Sequence, residues 1–505
     1  MAGADQPTVK LSHRMSAQDA SFIYAESRSG PLHIGALNIF DAPIDYDELL
    51  AHMTRRMHLL PRYRQRLVFT PLNLAHATLE DDPGFDLRKH LKPHRLPDGA
   101  DDQTFLRAAM SAFEPMLDRN QPLWEMHLFQ GLAGNRSAVV WKAHHCLVDG
   151  VSGMELMTVS LDFRADAPPP EPPEIPWRPP PLPGALRSLA SALFDLTKGR
   201  LNEARQLAAR MDAPRAALER AATIASFAAK LAAMIGRRIV AAPWNAALVG
   251  PARSLAWLKA PFADLRSIRN AMGGTVNDVV LAILSEAAAR YMAAHGMRMD
   301  HAPLRIGCPV NVRRDGESGT LGNRVSMMFP ELPSAPMDAV ARLHAVIRET
   351  SRIKHAGDAR ALARMIGAGD LIAPFLLGVI SRIGTTAIDA AAQLGGLAPR
   401  LARIAPLAPP GINFIATNVP GAQTPLYLAG RKLIEMVGLV PLGANLGYNV
   451  AIISYNQMLT FGMMAEPRLM PDVERMRGFA EDVFNELLAA AQARTGESAD
   501  SPRAA

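Results

Sequence analysis

Apolar and polar positions alternate with different periods along the chain and divide it into three stretches. In the first, up to about residue 165, short β-branched and aromatic runs alternate with helical spacing. Ser16-Ala-Gln-Asp19 precedes an apolar segment and reads as a helix start. The pattern predicts a strand over 33–40, helices over 51–60 and 104–117, and strands over 124–130 and 137–143. In the last stretch, about 250–490, it predicts a helix over 276–290 and strands over 305–311, 324–329, 412–418 and 448–457. An amphipathic helix over 470–491 closes the chain.

The middle stretch differs from both. Residues 168–183 hold ten prolines, a density that excludes helix and sheet and predicts a semi-rigid extended linker. A proline-rich docking motif is the functional alternative for these residues. From 185 to about 240 the chain is Ala- and Arg-rich and helical by propensity. Leu189, Leu193 and Leu196 share one face there, as do Ile224, Phe227, Leu231 and Ile235. The layout predicts an α/β protein of two layered regions with a site at their interface. The expected units are 1–165, a linker with basic helices over 166–245, 246–495, and a loose tail over 496–505.

Composition narrows the class. Apolar and aromatic residues make up 49% of the 505 positions, ample for sizeable cores, and only two cysteines occur, Cys146 and Cys308. A disordered chain, a collagen, a disulfide scaffold and a cysteine-based zinc site are therefore excluded. The N-terminus lacks the basic-then-apolar pattern of a secretory leader. Residues 371–381 are apolar but too short to span a bilayer. Residues 436–465 carry no charge and are long enough to span, yet Pro441, Gly438, Gly443, Gly447, Asn445, Asn449 and Asn456 punctuate them, so they read as buried strands and turns. A soluble or peripheral protein is expected.

Net charge is +6, from 54 basic and 48 acidic residues. Residues 184–240 hold ten basic and four acidic side chains, so this one segment carries an excess equal to that of the whole chain. That is poor support for nucleic-acid binding. It fits reversible contact with anionic lipid, or simply a solvated basic face.

Candidate chemistry concentrates in His144-His145-Cys146-Leu147-Val148-Asp149-Gly150. The run follows a predicted strand and leads into a helical pattern, and strand ends present side chains to clefts on a rigid base. An imidazole is suited to take a proton from an alcohol or thiol near neutral pH. Asp149 would hold the loop or orient a histidine, and Gly150 would allow a tight turn. A histidine pair that merely ends a strand, with an ordinary Asp-Gly turn, fits the same residues. Three metal ligands are present but would diverge, and no fourth is near, so no metal is expected.

His-His-x3-Asp-Gly is the signature of acyltransferases with the chloramphenicol-acetyltransferase-like fold, and the chain resembles them. Other blocks narrow the resemblance to bacterial wax ester synthase/diacylglycerol acyltransferases. These are Met15-Ser-Ala-Gln-Asp-Ala-Ser-Phe-Ile-Tyr-Ala-Glu-Ser27, Pro31-Leu-His-Ile-Gly35, Pro122-Leu-Trp-Glu125, Thr275-Val-Asn-Asp278, Leu321-Gly-Asn-Arg324 and Asn418-Val-Pro-Gly421. They occur in the family's order over about 11–490. The Asp-Phe-Gly-Trp-Gly motif of plant acyltransferases is absent, and no carrier domain follows as in a peptide-synthetase module.

The resemblance implies two chloramphenicol-acetyltransferase-like α/β domains with the active site at their interface. It implies transfer of a fatty acyl group from acyl-coenzyme A, a substrate rather than a cofactor, to diacylglycerol or a long-chain alcohol. By motif position His145 would be the general base and His144 its neighbour. Asp149 would be mainly structural, paired with an arginine the sequence does not single out. Asn277 is the candidate donor to the tetrahedral oxyanion, with capping of its helix as the alternative. Asp278 is expected to steady that helix N-terminus. Asn323 and Arg324 would line the cleft or shape a turn, and Arg313 and Arg314 would meet coenzyme A phosphates or lie solvated. Trp124 reads as core before substrate wall, Cys146 as packing. Residues 361–383, with three glycines among large apolar residues, would form an acyl groove or an ordinary buried helix. The expected place is the cytoplasm, peripheral to the inner membrane or lipid inclusions. Two other functions fit less of the pattern: the same fold acylating a polyketide diol, sugar or amine, and a catalytically silent lipid-surface protein.

Overall fold

A computed structural model of the chain describes residues 14–147, 159–194, 238–246, 248, 250–299, 301–311, 325–356, 411–443 and 445–496. Two sheets carry the fold. The first has the order β12 (Tyr427–Leu428), β13 (Arg431–Leu439), β1 (His33–Phe40), β6 (Arg136–His144), β5 (Trp124–Leu132), β4 (Leu91–Ala100). The second runs β10 (Glu331–Leu332), β8 (Leu304–Asn311), β11 (Phe414–Pro420), β14 (Tyr448–Tyr455), β15 (Met458–Ala465), β7 (Ser254–Pro261), with β9 (Val325–Met328) beside β8. A small hairpin, β2 (Gln65–Val68) with β3 (Thr78–Asp81), stands apart.

The strand predicted over 33–40 is β1, and those over 124–130 and 137–143 are β5 and β6. β5, β6, β1 and β13 are antiparallel neighbours, so β6 is central and its end is rigidly held. β4 pairs parallel to β5 at the sheet's edge. Its Pro93 and Pro97 hid it from the pattern reading, but an edge strand needs no amide donor on its outer side.

Residues 436–465 are strands and turns, as their punctuation predicts. The end of β13, all of β14 and all of β15 lie there, and β14 is buried along its whole length. A strand covered on both faces reads as an unbroken apolar run rather than an alternation. One face of the second sheet packs against α4 (Phe262–Met272), α5 (Val276–Ala294), α6 (Ala339–Ala356) and α7 (Val473–Thr495). The helix predicted over 276–290 is α5; Val279–Ala289 is buried throughout, as a helix apolar on all sides must be. Within it Glu286 meets Arg342 of α6 at 2.8 Å, both side chains fully buried. Glu286 also accepts the Met337 N–H and a bond from Arg290.

The two sheets meet at β13. A side chain on Gly438 would collide with Ala451 of β14 at 2.7 Å, and one on Gly462 of β15 with the Gly438 carbonyl at 2.3 Å. Glycine is required at both, at Gly438 because the Ala451 and Ile453 side chains press on it and at Gly462 because the Gly438 backbone does. Thr460 donates to the Met436 carbonyl at 2.6 Å and Tyr455 to that of Leu433 at 2.9 Å. Trp257 of β7 donates to Glu435, and Lys259 lies 3.3 Å from the same carboxylate. A strand from the second half of the chain thus completes the first sheet and ties it to the second.

The proline-rich stretch holds neither helix nor strand over residues 167–184. Trp177 fastens it. Its indole N–H donates to Asp81 of β3 at 3.0 Å, its ring lies 4.5 Å from the Arg64 guanidinium carbon, and Phe85 meets it edge-on at 6.0 Å. Residues 185–194 are helical; the rest of the basic stretch, 195–237, lies outside the described residues, as do 361–383.

Candidate active site

His144 is the last residue of β6 and His145 begins the turn after it. The α1–β1 loop clamps this turn. Helix α1 (Ala17–Ala25) starts at Ser16, whose hydroxyl accepts the Asp19 N–H, so the predicted helix start is the N-cap. Beyond α1, the Leu32 carbonyl accepts the His145 N–H at 3.0 Å, and the Leu32 N–H donates to Glu26 at 3.1 Å.

The two histidines are held differently. His144 is buried, and its Nδ1 accepts the Cys146 N–H at 3.1 Å. The ring proton therefore lies on Nε2, which faces Glu26 Oε1 at 3.4 Å with both side chains 1% exposed. Arg119 donates to the other oxygen of Glu26 at 2.8 Å. Burial alone would raise the Glu26 carboxyl, but the contact with His144, the bond from the Arg119 guanidinium and the Leu32 amide outweigh it and hold it down at about 2. His145 is the half-buried member of the pair and stacks on Phe22 of α1, ring centres 4.0 Å apart. Its plane is thereby fixed by packing.

His33 of β1 stands opposite His144, edge-on to Phe113, and its pKa is pushed well down chiefly by burial and then by the nearby cations Lys142 and Arg253. Lys142 of β6 is buried as well. Its ammonium donates to the Pro115 carbonyl past the end of α3 (Asp102–Phe113) and lies 3.7 Å from Glu125. Burial brings its pKa down to about 8. Cys146 is buried and burial pushes its thiol well up, so it packs rather than attacks, as the sequence suggests. Trp124 is fully buried, its N–H on the Tyr63 carbonyl at 2.8 Å, and is core.

In the second sheet's layer, Asn277 lies in the first turn of α5 and does not cap it. Thr275 is the N-cap, in a capping box with Asp278. Asp278 accepts from the Thr275 amide and hydroxyl at 2.8 and 2.7 Å and from Thr350 of α6 at 2.7 Å. The expectation for Asp278 holds, and the capping alternative for Asn277 is corrected. The freed Asn277 side chain accepts from Asn418 of β11 at 3.5 Å, so two sequence blocks 141 positions apart meet. Val419, next along β11, packs on the same apolar cluster as Phe22, Cys146 and Leu147. The histidine turn and the Asn418 block therefore border one core.

Asp149, Gly150, Arg313, Asn323 and Arg324 lie outside the described residues. Among the described residues no cluster of three ligands suits a metal ion, and no helix is long and apolar enough to cross a membrane. Glu26 and Arg119 were missed by sequence reading. Glu26 sits inside the first family block, but nothing local marks it, because its partners are distant in sequence.

The fold is one that solved condensation domains and a wax ester synthase/diacylglycerol acyltransferase share. The first condensation domain of the calcium-dependent antibiotic synthetase, in complex with a substrate analogue, superposes with a TM-score of 0.55 at 15% identity over 95% of this chain and 96% of that one. A wax ester synthase/diacylglycerol acyltransferase from Marinobacter aquaeolei gives a TM-score of 0.61 at 24% identity, over 95% and 99%. The sequence then places the chain more narrowly. Residues 15–280 match the wax ester synthase/diacylglycerol acyltransferase catalytic domain, and residues 321–488 match the WS/DGAT C-terminal domain. The chain belongs to this family and is an acyltransferase. Among its relatives is a probable diacylglycerol O-acyltransferase of Mycobacterium tuberculosis, 29% identical over 95% of this chain and 97% of that one. A putative diacylglycerol O-acyltransferase of the same organism is 30% identical over 94% and 90%.

Proposed function

We propose that the chain transfers the acyl group of an acyl-coenzyme A to the hydroxyl of diacylglycerol or of a long-chain alcohol, yielding triacylglycerol or a wax ester. The observation that carries this reading is the unequal footing of the two histidines. Both ring nitrogens of His144 face fixed partners, Cys146 and Glu26, while His145 is the more exposed and is oriented by Phe22. His145 takes the acceptor's proton; the oxygen attacks the thioester carbonyl; the coenzyme A thiolate leaves and receives the proton from the imidazolium. Asn277 has its carbonyl oxygen turned to Asn418, which leaves its amide group to donate to the tetrahedral oxyanion. Asp149 and Gly150 stay candidates for the catalytic loop on the resemblance alone. Asn323, Arg324 and Arg313 stay candidates for substrate contact on the resemblance alone. Acyl-coenzyme A is a substrate, and the scheme needs no cofactor. The enzyme would work at a membrane or lipid-inclusion surface, where its acceptors reside.

Free-thiol release from palmitoyl-coenzyme A, followed with hexadecanol and with diacylglycerol in turn, tests this. Release with at least one acceptor, abolished in H145A, is expected. No release with either, or full activity in H145A, would overturn it.

A further inference from the structure

The proline strap does not lie flat on the molecule. Between it and the end of α2 (Tyr46–Arg56) is a cleft of about 720 Å³. Five strap prolines form one wall, with Ile175 and Trp177, and Thr54 and Met57 belong to the other. Three basic side chains line it, Arg55, His58 and Arg64, and no acidic residue does. Among the described residues none of the three is ion-paired. Arg64 Nε is buried without a hydrogen-bond partner. Asp81, whose charge acts on Arg64, has its oxygens occupied by Gln65 and Trp177. The strap's own Glu171 and Glu174 are exposed and lie outside the lining.

A cleft whose lining holds basic side chains and no acidic one suits an anion. Five of its wall residues are prolines, which carry no amide donor, and with Met57 and Ile175 they suit an apolar body beside that anion. Its surroundings are also apolar and open to solvent: Ile175 is 82% exposed and Leu59, next to His58, is 47% exposed. Large exposed aliphatic side chains beside cations are what an interfacial lipid site offers.

We propose that this cleft seats the phosphate of an anionic phospholipid. Arg55 and Arg64 meet the phosphate while Ile175 and Leu59 enter the headgroup region. Trp177, by holding the strap against β3, keeps the cleft open. The site is separate from the histidine turn, and binding does not depend on the proposed reaction.

The test is partition of the full chain onto vesicles, by flotation. Phosphatidylglycerol vesicles are compared with phosphatidylcholine vesicles at low salt. Preference for phosphatidylglycerol is expected. R55Q should weaken it about five-fold, the effect of one basic group near an anionic surface. I175S should weaken partition in a manner that added salt does not mask. Both positions are exposed, and thiol release in detergent should be unchanged in both variants, which separates failure here from failure of the catalytic reading. R55Q and I175S that both partition as the unaltered chain does would overturn the proposal. So would displacement from vesicles by millimolar inorganic phosphate in wild type, because the site would then be one for soluble phosphate.

Discussion

Glu26 Oε1 faces Nε2 of His144 at 3.4 Å, inside the protein, with Arg119 closing the carboxylate's other side. Through this contact the α1–β1 loop dictates which nitrogen of His144 carries its proton. The Cys146 N–H and the turn bearing His145 follow from that choice.

Acid stability should expose the pair. The Glu26 pKa is about 2 in the folded chain and near the usual 4.5 when unfolded. A lowered carboxyl contributes stability that is complete above the unfolded value and is lost as pH falls toward the folded one. The full difference corresponds to about 3 kcal/mol. E26Q should therefore flatten the loss of stability between about pH 4.5 and 2, measured by denaturant unfolding. An unchanged pH slope would contradict the assignment.

The histidines should respond unlike one another to substitution. H145A is expected to lower kcat by about 10²–10⁴-fold with little change in Tm. H144A removes a buried ring and the acceptor of the Cys146 N–H, so its Tm should fall clearly. Equal thermal shifts in both variants would contradict their different settings.

Asn277 and Thr275 separate chemistry from capping. N277A should cost about 10²–10³-fold in kcat, the effect of removing one oxyanion donor. T275A should cost about 1 kcal/mol of stability through the lost cap. If kcat in T275A falls as far as in N277A, the amide donor role fails.

Glu286 and Arg342 form a fully buried pair between α5 and α6. E286Q leaves the buried Arg342 charge uncompensated and should destabilise by about 3–5 kcal/mol, whereas R342M leaves Glu286 its Arg290 partner and should cost less. The double variant should lose less than the two single losses together, as a thermodynamic cycle on the purified chain would show.

How far the fold is legible in sequence depends on what each element's neighbours are. β1, β5 and β6 announce themselves because their own residues have strand composition. β4 does not, because Pro93 and Pro97 are tolerated only by its edge position, a fact of the assembled sheet. The partnership of β13 with β1 is equally invisible, because its contacts are nearly the whole chain apart. For the candidate site, the histidine run and the Thr275–Asp278 block are local and readable. Glu26 acquires its role from Arg119, 93 positions away, and from a strand end further on. The capping of α5 was legible in kind but not in residue: a threonine three positions before an aspartate pairs with it, and Asn277 falls between them.

The crossing of β13 into the first sheet has a consequence for how the protein is made. Until Arg431–Leu439 leaves the ribosome, β1 has a partner on only one side, β6. Asp41 at its end waits for Lys432, 391 positions later. For most of translation, then, the strand beside the histidine turn is an open edge, able to pair wrongly with other nascent chains. A chain cut at the proline strap would keep that edge permanently, so its first half should be recovered as aggregate unless the second half is supplied alongside it.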